Sequence, residues 1–267
     1  MRDESGKPRQ ASTSICHYNA KQIFIRGENL CDDLIGKIGL ADYVGLLVLG
    51  QRPSDVERSV IEAAIVTLAE HGLTPSVVAA RETYMGAPES FQGAVAAGIL
   101  GVGNQFVGTV ELVAPLLAEI VEHPEGHDAG AAAVVSRLRA GKGQVPGFGQ
   151  PHHKPDDPRS PALFAVADRH GIAGRYVAAL RALGRAVDAS MGRHLTINAP
   201  AAVASLFLEV GIPVRIMRGL IVISRCIGLV AHLSEEQTSP AGRAIWEAAT
   251  HAVDHVDLAG QAACSRR

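Results

Sequence analysis

The chain has 267 residues, of which 47% are apolar and 19% charged, with a formal net charge of −2. A compact chain of this length buries roughly 70–75% of the surface its unfolded form exposes, so folding needs no metal or disulfide, and the length allows one or two domains. The near-neutral charge argues against a nucleic-acid protein, and an aromatic content of 4% argues against base stacking on single strands.

Residues 1–12 are polar, with Gly and Pro, and are expected to be disordered. They lack a signal peptide's apolar core, and no run of about 18 apolar residues is free of charges and breakers, so the expectation is a cytoplasmic protein without a transmembrane helix. Ile23-Phe24-Ile25 is the only strand-like piece and reads as half of a small hairpin. The clearest helix starts at Ser54, which forms an S-x-x-E capping box with Glu57. Val56, Val60, Ala63, Ala64 and Leu68 follow at helical spacing, and Gly72 stops the helix with His71 in its last turn.

Further helices are predicted at 76–84, 90–101, 107–122, 127–140, 161–170, 172–191, 198–209, 213–233 and 240–255. Thr109 to Val121 is nearly continuous in apolar residues and should be buried on several sides. The segment 141–159, GKGQVPGFGQPHHKPDDPR, has no period and many breakers, and is predicted to be a long loop of the kind that carries function. The final ACSRR should fray. Helices so outnumber strands that the fold class is all-α. Cys16, Cys31, Cys226 and Cys264 form no C-x-x-C pair and read as buried or inert thiols.

Several apparent motifs fail on their chemistry. Gly101-Val-Gly103 lacks the third glycine and the βαβ setting of a dinucleotide loop, so Gly98, Gly101, Gly103 and Gly108 read as sites of close helix packing. Gly141-Lys142-Gly143 has no Ser or Thr after its lysine, as a phosphate loop requires. His123 and His127 flank Pro124, which opposes a helix that would align them on a metal, and no metal site is expected. Asp156 and Asp157 are adjacent and do not converge on one atom, so they read as loop caps. No G-x-S-x-G elbow is present.

Four pieces remain: EHGLTPS at 70–76, GILGVGNQFVG at 98–108, PGFGQPHHKPDDPR at 146–159, and the helix IVISRCIGLVAHLSEEQ at 221–237, where Arg225 and His232 sit among apolar residues. An arginine in such a helix needs a partner, either internal or an anionic ligand. Arg159 and Arg225 together would suit a small di- or tricarboxylate, because guanidinium matches carboxylate with two hydrogen bonds.

These pieces, in this order, together with LLVLGQRPS at 46–54 and GRHLTIN at 192–198, resemble the citrate synthase superfamily, in particular its short citryl-CoA lyase-like members. The resemblance covers about residues 14–255, and its P-G-F-G…D-P-R loop is the most specific part. It implies an all-helical homodimer. The large domain would comprise 13–102 and 213–260, and a small domain at 103–212 would carry the 141–159 loop, with the active site in the cleft between them. It implies no permanently bound cofactor, a CoA thioester and a small carboxylate as partners, and Claisen chemistry: citryl-CoA split to acetyl-CoA and oxaloacetate, or the reverse.

Matched residue by residue, His71 falls on the oxo-acid-binding histidine, and Arg159 and Arg225 on carboxylate-binding arginines. Pro146, Gly147, Phe148 and Gly149 fall on the loop beside the CoA arm. Four family residues are replaced. The enolate-stabilising histidine falls at Leu100, the carbonyl-polarising histidine at Gln150, the α-proton base at Pro200, and a partner-chain arginine at Ser239. Leu100 cannot donate a hydrogen bond and Pro200 cannot take a proton. Gln150 retains an amide donor, and His152 and His153 are candidate bases near neutral pH. Three readings follow: a lyase with reassigned catalytic groups, a degenerate CoA- or acid-binding protein, and an enzyme of the same fold for a different hydroxyacyl-CoA.

Overall fold

The computed structural model describes residues 11–172 and 174–254. The expected disorder at 1–10, the frayed C-terminus with Cys264 and the end of the last predicted helix at 255 lie outside these residues. The described chain falls into two compact units. One joins the residues up to Ala64 with Val110–Leu220, and the other joins Ile65–Thr109 with the residues from Ile221 onward. The expected inserted segment 103–212 lies mostly in the first.

The first unit opens with a three-stranded antiparallel sheet, β1 (Cys16–Tyr18), β2 (Ile23–Ile25) and β3 (Glu28–Asn29). Ile23–Ile25 is therefore its central strand, pairing with Cys16–Tyr18 on one side and Glu28–Asn29 on the other. Asn29 then caps a single π-turn, Leu30–Leu34, by accepting the N–H groups of Cys31 and Asp32. Helix α1 (Leu40–Leu49) was not foreseen, because its near-continuous apolar run has no clear period and Gly39 offers no side-chain cap. Ile25, Leu34 and Leu46 form a small core beneath the sheet.

Helix α2 (Asp55–Ala69) begins with the expected capping box. Ser54 N–H donates to Glu57 Oε2 at 2.7 Å and Glu57 N–H donates to Ser54 Oγ at 3.3 Å. In the first unit follow α5 (Val110–Val121), α6 (His127–Ala140), α7 (Arg159–Arg169), α8 (Arg175–Met191) and α9 (Ala199–Glu209). Helix α9 is the centre: Ala199 and every residue from Ala201 to Phe207 is buried, and α5, α7 and α8 pack around it. Its alanines let those neighbours approach closely. Helix α5 buries one face, Val110, Val113, Ala114, Leu117 and Ile120, while Leu112 is 39% exposed, so it is not covered on several sides as its composition suggested. Its apolar stripe has the spacing of a one-sided helix.

The second unit holds α3 (Pro75–Gly86), α4 (Phe91–Leu100), most of α10 (Val214–Glu236) and α11 (Gly242–Ala252). Its core is Val77, Ala80, Ala94, Leu229 and Leu233. A side chain at Gly98 would press on Leu229 and the Ser76 carbonyl and one at Gly101 on Ser76, so these two serve close packing as read, whereas a side chain at Gly103 would meet open space. Helix α10 is long and apolar enough by composition to cross a membrane. Its burial of Ser224, Arg225, Leu229 and Leu233 is also that of a core helix. Of the thiols expected to be buried or inert, Cys16 on the edge strand β1 and Cys31 in the π-turn are exposed rather than buried; burial raises the pKa of Cys226.

Candidate active site

Between α6 and α7, residues 141–158 form no helix, as expected. The loop is laced onto the segment that precedes α9. Gly149 N–H donates to the Thr196 carbonyl at 2.8 Å and Asn198 N–H donates to the Gly147 carbonyl at 3.1 Å, making a one-pair antiparallel bridge between Phe148 and Ile197. Thr196 Oγ1 donates to the Pro155 carbonyl, and Ser160 Oγ donates to that of Ile197 at 2.8 Å. The structure thus brings together PGFGQPHHKPDDPR and GRHLTIN, two of the phrases on which the resemblance rests. Gly147 has φ +92°, and a Cβ there would stand 2.7 Å from Val113 Cγ2 and 2.9 Å from Ala201 Cβ. Only glycine brings the loop that close to α5 and α9.

Gln150 is buried, and its Oε1 accepts the N–H groups of His152 and, at 3.0 Å, of His153. Lys154 Nζ donates to its carbonyl at 2.8 Å. The amide oxygen therefore shapes the turn that carries both histidines. His152 is exposed and His153 half-buried.

Arg159, the first residue of α7, is held by Asp157. Its Nε and Nη2 donate to the two carboxylate oxygens at 2.9 and 2.8 Å, and its own N–H adds a bond of 3.1 Å. Asp157 is fully buried, whereas 24% of the Arg159 side chain remains exposed. Burial opposes ionisation of Asp157, but the Arg159 bonds and charge and the Ala199 N–H outweigh it and lower its pKa. Asp156 turns outward, where His194 Nε2 meets it at 3.0 Å; His194 Nδ1 meets Asp188 at 2.6 Å. These two carboxylates raise the pKa of His194. The adjacent aspartates thus serve separate partners: Asp157 caps the N–H groups of Arg159 and Ala199 as read, whereas Asp156 meets the His194 ring instead. The sequence reading missed the roles of Asp157 and His194; the D-P-R and G-R-H-L spellings were their only signal.

Pro200 lies in the first turn of α9. Asn198 caps that turn by accepting the Ala201 N–H at 3.1 Å. A proline is tolerated there because first-turn N–H groups have no intrahelical acceptor.

In the second unit, α2 ends at Ala69, so His71 lies beyond the helix rather than in its last turn. The Glu70 carboxylate takes the N–H groups of His71 and Gly72 and ends the helix early. Leu100, the last residue of α4, is 87% exposed. Arg225 is 2% exposed on α10. His232 does not sit among apolar groups only: Arg81 donates to its Nδ1 from Nη2 at 2.8 Å and from Nε at 3.2 Å. Arg81 is itself 2% exposed and is paired with Glu235 and Glu236. Among the described residues no group of three metal-ligating side chains converges.

The family model described as citrate synthase, C-terminal domain, matches residues 12–246. A curated relative, the probable ATP-citrate synthase subunit 1 of Neurospora crassa, is 22% identical over 278 residues, which cover 95% of this chain and 40% of that protein. The chain thus spans less than half the length of that relative. Among solved structures, citryl-CoA lyase from Hydrogenobacter thermophilus matches at 29% identity with a TM-score of 0.77, covering 86% of this chain and 88% of that one. ATP citrate lyase from Methanothrix soehngenii, in complex with citrate and coenzyme A, matches at 20% identity and a TM-score of 0.74, covering 87% and 39%. With the helical fold and the P-G-F-G…D-P-R loop in place, the family match over most of the chain settles its kinship: this protein belongs to the citrate synthase family.

Proposed function

We propose that the chain is a carbon–carbon lyase acting on a 3-hydroxy-3-carboxyacyl-CoA such as citryl-CoA, releasing acetyl-CoA and oxaloacetate. The observation that carries this reading is Arg159, immobilised by a fully buried Asp157 with part of its side chain still exposed. Fixing a guanidinium in this way presets it for a substrate carboxylate. The kinship with citryl-CoA lyase, which extends over nearly the full length of both chains, supports the substrate class. Beside the loop lies a cavity of about 300 Å³, lined by Val145, Phe148, Gly149 and Met191 and bordered by Arg139 and Arg193. Apolar walls with two cations suit the arm and phosphates of coenzyme A.

In the cleavage direction a base takes the proton of the substrate's tertiary hydroxyl. The O–H electrons form the ketone, the C–C bond breaks, and its electron pair becomes the thioester enolate, which is protonated at carbon to give acetyl-CoA. His152 and His153 are the bases on the loop, and His71 and Arg225 bind the oxo-acid portion. Gln150 positions the two histidines through its amide oxygen. Leu100 and Pro200 take no part.

Incubation with citryl-CoA, with acetyl-CoA release followed in time, tests the proposal; no cleavage above background would overturn it. Leu100 and Pro200, which supply neither a hydrogen-bond donor nor a base, favour a second reading, a protein that binds CoA or a tricarboxylate without turnover. That reading predicts calorimetric binding of coenzyme A or citrate, and no gain of activity in the L100H/Q150H double variant.

A further inference from the structure

We propose that Glu70, His232 and Arg81 are positioning residues for His71, forming a relay that sets the backbone of the turn carrying it. The inference rests on reading His71 as the oxo-acid ligand. Glu70 follows directly on the end of α2, and its two carboxylate oxygens do different work. Oε1 accepts the N–H of His71 at 2.8 Å and that of Gly72. Oε2 lies 2.9 Å from His232 Nε2, in close contact but off the line of the ring N–H. Arg81 can only donate, so His232 Nδ1, which it contacts twice, is the acceptor. The ring is therefore neutral, with its proton on Nε2, the nitrogen that faces Glu70.

Behind the ring, Arg81 is held by Glu235 and Glu236. Glu236 is in turn fixed by accepting the N–H groups of Ala241 at 2.9 Å and Gly242 at 2.7 Å at the start of α11. The contacts thus run from the start of α11 to the backbone of His71, wholly within the second unit. The spacing on α10 makes this possible. A Cβ at Gly228 would collide with the Ala69 carbonyl, so α10 touches the end of α2 at that residue. His232, four positions on and therefore on the same helix face, comes beside Glu70.

Burying an arginine and a glutamate costs more than an apolar contact of the same size unless close pairing and further hydrogen bonds offset the desolvation, as they do here for Arg81 and Glu236. Among the described residues, the backbone that Glu70 organises is that of His71 and Gly72.

Two measurements test this. Amide exchange of the ligand-free protein is followed by NMR in E70A, E70Q and H232N, and oxaloacetate affinity is measured by calorimetry. In E70A the His71 and Gly72 amides are expected to exchange about tenfold faster, with Val77 and Ala80 in α3 unchanged, since one capping acceptor is lost. E70Q, which keeps an amide oxygen, should restore protection, and H232N should shift the same two amides in the same direction. Oxaloacetate binding should weaken about tenfold in E70A. In the wild type, nitrogen spectra should show His232 protonated on Nε2 only. Wild-type exchange rates at His71 and Gly72 in both E70A and H232N, or a His232 ring protonated on Nδ1, would overturn the proposal. If the wild-type protein itself binds no oxaloacetate, the ligand role of His71 fails, while the exchange data still judge the relay.

Discussion

Asp157 and Arg159, two residues apart, form a bidentate pair in which the carboxylate is fully buried and the guanidinium reaches the surface. Asp157 also accepts the Ala199 N–H at 3.3 Å, so one side chain ties the start of α7 to the start of α9. The loop is held at its end by charge-assisted bonds, which are stronger than neutral ones.

Asp157→Ala should therefore destabilise the protein by about 2–4 kcal/mol, because it strands part of a guanidinium and two N–H donors. Urea unfolding measures this. The lowered pKa of Asp157 means its contribution is present above the unfolded value of about 3.9 and is lost as pH falls through the lower folded value. The stability gap between wild type and Asp157→Ala should close in acid, and a gap that stays constant to low pH would contradict the pairing.

Gly147→Ala should cost about 1–3 kcal/mol, from a positive φ and from contacts with Val113 and Ala201 that the core cannot yield. Thermal melting gives the loss. Coenzyme A affinity should fall with it, since the same displacement moves Phe148.

His194 bridges Asp156 and Asp188, which requires both ring nitrogens protonated. A raised folded pKa means that its stabilisation is complete below about pH 6.5 and fades as pH rises through the higher folded value. The melting-temperature difference between wild type and His194→Ala should be largest near pH 6 and shrink toward pH 9. A difference that grows with pH would rule out the clamp.

Pro200→Asp places a carboxylate in the first turn of α9, where it is favoured by the helix dipole, so stability should change by less than about 1 kcal/mol. Acetyl-CoA proton exchange with deuterated water, followed by NMR, shows whether the restored carboxylate acts as a base. Faster exchange than in wild type is the expected outcome.

What the sequence determined alone is what local chemistry controls. The Ser54–Glu57 box acts within one helical turn, and the start of α2 followed from it; Pro75 and the Asn198 cap open α3 and α9 by equally local chemistry. The 141–158 loop was legible because breakers and missing periodicity are also local, and the order of its motifs carried the family. The end of α2 was misplaced by two residues because Glu70 competes for the N–H groups of His71 and Gly72, a choice made by a side chain that lies against His232 of another helix. Only the tertiary structure decided that Asp157 turns inward and Asp156 outward, that His194 reaches back to the loop, and that Arg81 meets His232 across 151 positions. Adjacent or like residues have the same local propensity. Packing of α9 and α10 assigns their partners, because a buried charge persists only where the fold supplies its counterpart.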